Sequence, residues 1–110
     1  MLATGERYAQ AAYLETQARA MTPRQVLLQL YDLAIAGCVA RDMRRASAAL
    51  VELIAALDFN YEEIAQGLYR LYEYALRQVK AERYEASLGV LRELRDTWEQ
   101  AFAAVTTVEG

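Results

Sequence analysis

One proline, Pro23, stands in the whole chain, and glycine occurs only five times in 110 residues. Helix breakers are therefore scarce, while Ala, Leu, Glu, Arg and Gln, all good helix formers, dominate. A chain built this way is held to long helices and short connections. Its length suits one domain with a single core. Apolar residues make up 55% and charged residues 25%, with a net charge of -3. That mixture is too apolar and too weakly charged for a disordered chain.

The sharpest local signal is Met21-Thr22-Pro23-Arg24-Gln25-Val26. Thr22 can cap a helix, Pro23 suits its first position, and Gln25 can bond back to close a capping box. Met21 and Val26 occupy the two positions of a hydrophobic staple. Apolar residues then recur at Val26, Leu27, Leu30, Tyr31, Ala34 and Cys38, one face of a helix. A break at Arg41-Asp42 follows, and Met43, Ala46, Leu50, Leu53, Ile54 and Leu57 carry a second stripe. Asn60 and Glu63 read as another capping box, with Phe59 and Ile64 as its staple. The third face holds Ile64, Ala65, Leu68, Leu71, Tyr72, Ala75 and Val79, and a turn is placed near Ala81–Arg83. The last face holds Leu88, Leu91, Leu94, Trp98, Ala101, Phe102 and Val105.

The pattern predicts an all-α fold with helices over about 23–40, 43–57, 60–81 and 84–105. Short connections make neighbours antiparallel, which gives an up-down-up-down four-helix bundle over residues 21–106. Residues 1–20 lack a continuous stripe and read as a mobile N-terminal arm or short extra helix.

Composition excludes much chemistry. Histidine is absent, which removes His-based triads, the usual His-containing zinc sites and Glu-x-x-His metal sites. The lone Cys38 can form neither an internal disulfide nor a multi-thiolate site, and it suits a reducing compartment. A sequence pI of 5.0 argues against nucleic acid and anionic membranes as partners. No apolar run is long enough to insert in a membrane, and Met1 to Gln10 do not read as a secretory signal. Glu62 and Glu63 fall in a first helical turn, where they offset the helix dipole, and Glu93 and Asp96 alternate with Arg92 and Arg95 on a solvated face. Neither pair reads as catalytic, and Gly67 and Gly89 are isolated, not parts of a phosphate loop. Arg41, Arg44 and Arg45 make a small basic cluster, too small for nucleic acid. The expectation is no catalysis, no metal and no cofactor.

Eight tyrosines are many for this length. Tyrosine buries a ring while keeping its hydroxyl wet, which suits grooves that bind other chains. The other reading makes Tyr31, Tyr72 and Trp98 packing residues, because aromatics at helical spacing usually are.

The order of motifs adds a resemblance. The run Thr22-Pro23-Arg24-Gln25-Val26-Leu27-Leu28-Gln29-Leu30-Tyr31-Asp32-Leu33-Ala34-Ile35 resembles the signature of the flagellin export chaperone family, FliS. That signature reads Ser-Pro-x-x-Leu, then Leu-Tyr-Asp-Gly-Ala-Ile. Leu57-Asp58, Ile64-Ala65, Leu68, Leu71-Tyr72-Glu73-Tyr74, Val90-Leu91, Leu94-Arg95 and Trp98 follow its later motifs in order, and Tyr8-Ala9-Gln10 is similar to its N-terminal tyrosine segment. Departures occur at Leu33 and Gly67, at Tyr61-Glu62 in place of a Gly-Gly, and at Ala81-Glu82. The chain reads as a shortened member, its first hairpin shorter by about two turns per helix and its second by about one, at 3.6 residues per turn.

The resemblance implies a cytoplasmic chaperone without enzymatic activity. It would bind the disordered C-terminal segment of flagellin, prevent premature polymerisation and deliver the subunit to the flagellar export gate. Groove candidates are Leu30, Tyr31, Ile64, Leu68, Leu71 and Tyr72, some of which must be core. Tyr8 would fold the arm over the empty groove as an N-terminal cap. The alternatives are a self-associating adaptor, including a homodimer whose second copy covers apolar edges, a chaperone of another secretion system, or an enzyme on a bundle scaffold.

Overall fold

The computed structural model describes residues 20–109, with side chains as far as Val105. Tyr8 and the rest of the expected arm, apart from Ala20, lie outside the described residues. Four helices make up almost all of the described chain: α1 (Pro23–Val39), α2 (Met43–Ala55), α3 (Glu62–Lys80) and α4 (Tyr84–Glu109). No strand occurs among the described residues. Helix α1 packs between α2 and α4, and α3 packs between the same two, so the helices close an antiparallel square.

The first helix begins as its residues dictate. Thr22 Oγ1 accepts from the Gln25 backbone N–H at 3.2 Å, and Gln25 Oε1 accepts from the Thr22 N–H at 2.9 Å. Asp42 Oδ1 accepts from the Arg45 N–H at 3.1 Å and starts α2. Helix α3 departs from expectation. Asp58 Oδ1 accepts from the Asn60 N–H at 3.0 Å, and Asp58 O accepts from the Tyr61 N–H at 3.1 Å. This Asx turn keeps Asn60 inside the connection, so Tyr61 becomes the N-cap without a side-chain bond. Helix α3 therefore starts at Glu62, not at residue 60, and Phe59 and Ile64, 54% and 62% exposed, form no buried staple.

Both remaining turns end a helix with the same double bond. The Asp42 N–H donates to Gly37 O and the Arg41 N–H to Cys38 O; the Arg83 N–H donates to Gln78 O and the Glu82 N–H to Val79 O. These are Schellman closures, which need a left-handed residue after the cap. Arg41 (φ 54°) and Glu82 (φ 61°) supply it, where glycine is the usual choice.

The core is unusual in its small residues. Ala34, Ala46, Ala49 and Ala75 stand between Tyr31, Leu50, Leu53, Tyr72, Val79 and Leu91, all buried. Small residues let α1 and α2 approach closely, and nowhere more than at Gly37. A Cβ placed there would stand 2.6 Å from Ala46 N and 2.8 Å from Ala46 Cα. Between α1 and α4, buried Cys38 Sγ meets buried Ser87 Oγ at 3.7 Å, and burial pushes the thiol pKa up.

Candidate functional site

At the end of the bundle where the chain passes from α2 to α3, all four helices and the connection line an open groove of about 270 Å³. Leu27 comes from α1, Leu53 from α2, and Ala56, Leu57, Asp58 and Tyr61 from the connection. Helix α3 adds Ile64, Ala65, Leu68 and Tyr72, and α4 adds Trp98. Asp58 is the single charged residue of the lining. The local sequence explains the opening: the Asp58 turn delays α3 and leaves Tyr61 and Ile64 standing out instead of folding inward.

The groove rests on a polar knot inside the core. The Tyr31 and Tyr72 hydroxyls bond to each other, and Trp98 Nε1 donates to Tyr31 Oη at 3.0 Å. Burial, ahead of the hydrogen bonds, pushes both phenol pKa values above the ordinary tyrosine value of 10.0. Both rings therefore stay neutral at physiological pH. Trp98 is further fixed by Phe102, ring centroids 5.5 Å apart, and the Arg24 guanidinium lies 5.2 Å from the Phe102 centroid. Arg95 ties α4 to α1 through Asp32 at 2.6 Å and also bonds Glu99 at 2.8 Å. Both ion pairs lie at the surface, and Arg92, Glu93 and Asp96 are exposed, in keeping with the solvated face read from their spacing.

The candidate residues divide. Ile64, Leu68 and Tyr72 come together in the groove. Tyr31 is fully buried and supports the groove from beneath, so it is core and not a groove edge. Tyr72 is just as buried and contributes to the floor. Leu30 lines a different, shallower cleft between α1 and α2, with Leu33, Ala48 and Ala49. Leu71 is 40% exposed on α3 and lines neither cleft. Leu27, Leu57, Tyr61 and Trp98 complete the groove but were not singled out for it. Leu27, Leu57 and Trp98 belong to predicted apolar stripes, but Trp98 sits mid-helix, and spacing alone does not tell which members of a stripe border an opening. Among the described residues no group of His, Cys, Asp or Glu could hold a metal ion, and no helix is long and apolar enough to cross a membrane.

Fold and groove together define an antiparallel four-helix bundle with one open, apolar end. A family model described as flagellar protein FliS matches residues 36–105. The chain belongs to the FliS family, and as a shortened member of it. This is a family of flagellar export chaperones, not of enzymes. The matched stretch runs from the second half of α1 through Val105; the Thr22–Ile35 signature lies ahead of it. No curated protein and no solved structure matches the chain.

Proposed function

We propose that this protein is a cytoplasmic export chaperone that holds the disordered C-terminal segment of flagellin in the groove between α2, α3 and Trp98. Holding that segment keeps flagellin from polymerising prematurely and carries it to the export gate. The observation behind this reading is the groove itself: open, apolar, with Asp58 as its single lining charge. Its volume falls just below the usual range for small-molecule sites, roughly 300–1,000 Å³, and suits aliphatic anchors from an amphipathic segment. Ile64, Leu68 and Tyr72 are the anchoring contacts in this reading. Leu71 and Leu30 extend the footprint along α3 and over the α1–α2 cleft, while Tyr31 fixes Tyr72 from behind. Because the ligand orders as it binds, affinity is the buried apolar area less the ordering cost, and a long footprint is favoured.

The test is a titration with a flagellin C-terminal peptide, followed by circular dichroism. Coupled folding predicts more helix in the mixture than in the separate components. A strictly additive spectrum with no detectable binding refutes the proposal. Tyr8 is proposed to cap the empty groove, so deleting Met1–Thr16 should raise peptide affinity; unchanged affinity removes that role.

One observation favours a second reading. Ile64, Leu71 and Tyr74 are 62%, 40% and 39% exposed at helical spacing on α3, a stripe that a second copy of the chain could cover. Sizing with and without the peptide separates the two. A monomer that binds peptide, or a dimer that peptide breaks, supports the chaperone reading. A dimer indifferent to peptide supports self-association.

A further inference from the structure

The end of the bundle opposite the groove carries a different kind of surface. There the Arg41 and Glu82 turns stand together, and the Arg41 guanidinium lies 5.0 Å from the centroid of the Tyr84 ring. Charge is sorted between the two ends. Arg41, Arg44, Arg45, Arg77, Lys80 and Arg83 gather on these turns and the adjoining helix ends, against Asp42, Glu82 and Glu85. At the groove end the excess is reversed, with Glu52, Asp58, Glu62 and Glu63 on α2, α3 and their connection. A chain of net charge -3 is thus polarised along its length.

Ordinary solubilising charge does not account for this cluster. None of its cations is in an ion pair among the described residues, where ion pairing is confined to Arg95 with Asp32 and Glu99. Arg77 and Lys80 sit in the last turn of α3, where the helix dipole welcomes positive charge. Arg44 and Arg45 do not have that excuse. They stand exposed in the first turn of α2, where the dipole disfavours cations, and the one acid at that helix start is the N-cap Asp42, whose carboxylate accepts from the Arg45 backbone N–H rather than pairing with either guanidinium. Two exposed cations against a single capping carboxylate still break the local rule, which is the kind of departure expected at a functional surface.

We infer that this end is an electrostatic docking surface for a partner protein that presents an acidic face. Charge complementarity sets the sign of the partner. The interleaved Asp42, Glu82 and Glu85 set its kind: they repel a uniform polyanion such as nucleic acid but can pair with scattered cations on a protein. Val39, 59% exposed, borders a cleft with Arg41, Tyr84 and Arg92 and supplies one apolar contact within the charged patch. That is the composition of a protein contact, and a single valine is too little for a lipid surface. Because groove and basic end lie at opposite ends, both can be occupied at once. This inference does not depend on which segment fills the groove.

The test uses the full chain and a fluorescent glutamate-rich peptide with interspersed lysine and leucine, read by anisotropy. Saturable binding is expected, weakened about tenfold or more in the double variant R44E/R45E. It should also weaken between about 50 and about 300 mM salt. R44E/R45E places acid at a helix N-terminus, so its thermal midpoint should equal or exceed the parent's, and loss of fold cannot explain loss of binding. Ile64→Asp, at the groove end, should leave this peptide's affinity unchanged. No binding, or equal binding by R44E/R45E, overturns the inference. Tighter retention of single-stranded DNA or phosphatidylglycerol vesicles than of the peptide overturns the assignment to a protein.

Discussion

Alanine at Gly37 would put a methyl group where α1 and α2 pass closest. The new carbon would stand 2.6 Å from Ala46 N, 2.8 Å from Ala46 Cα and 3.0 Å from Ala46 Cβ. Carbon atoms pack best at about 3.5–4.0 Å, so the helices must separate by nearly an ångström. The obstacle is backbone, which cannot swing aside as a side chain can. Overpacking of this kind costs about 1–3 kcal/mol. Against it stands the gain from replacing glycine inside a helix, about 0.8–1.0 kcal/mol. The balance is a loss of about 0–2 kcal/mol, near the upper end because Gly37 O also accepts the Asp42 N–H that closes the α1 turn. Gly67→Ala and Gly89→Ala are the controls. Nothing lies within 4 Å of a Cβ at either position, so both should gain about 0.5–1 kcal/mol. Thermal and urea unfolding followed by circular dichroism would read a lower midpoint for Gly37→Ala, by roughly 4–8 °C for each kcal/mol lost, and higher midpoints for the controls. A Gly37→Ala protein as stable as its controls would show that α1 and α2 are not in close contact there.

Three further outcomes follow from the same structure. Tyr31→Phe strands both the Trp98 indole N–H and the Tyr72 hydroxyl, whereas Tyr72→Phe removes a single bond; urea unfolding should show the first costing more, by about 1 kcal/mol. Both phenols have pKa values raised in the fold, so the unfolded chain ionises first. Their contribution is fully present below pH 10.0 and is lost as pH rises beyond it, and a unfolding midpoint that holds steady there would contradict the buried pair. Glu82→Gly relieves a left-handed residue costing about 1–2 kcal/mol, less the added freedom of the unfolded chain, and should raise stability by roughly 0.5–1 kcal/mol.

Much of the fold was legible because its signals are local. Thr22, Pro23 and Gln25 declare a helix start through atoms a few residues apart, and the structure makes both of their bonds. The stripes of Ala34–Cys38 and Leu50–Leu53 face the core for the same reason. Asn60 misled because Asp58, two residues earlier, competes for the same backbone donors, and which residue wins depends on how the connection must travel. The turns at Arg41 and Glu82 carry no glycine, so only the break in apolar period revealed them. The site was harder. Spacing places Tyr31 and Tyr72 on apolar faces but cannot tell a groove edge from a core, because that depends on the facing helix. The hydroxyl–hydroxyl–indole knot joins residues far apart in sequence, and nothing short of the packed bundle brings them together. Gly37 likewise looked like any helical glycine until Ala46 was seen against it.

Trp98 is the chain's single tryptophan and lines the groove, which makes it a built-in reporter. The direct measurement is its fluorescence during titration with a tryptophan-free flagellin C-terminal peptide, alongside the anisotropy of the same peptide carrying a label. Occupation of the groove predicts a saturable change in Trp98 emission with the same midpoint as the anisotropy, both abolished by Ile64→Asp/Leu68→Asp in a protein that still unfolds cooperatively. Peptide binding seen by anisotropy while Trp98 emission stays constant, or binding that survives the double substitution, would contradict it.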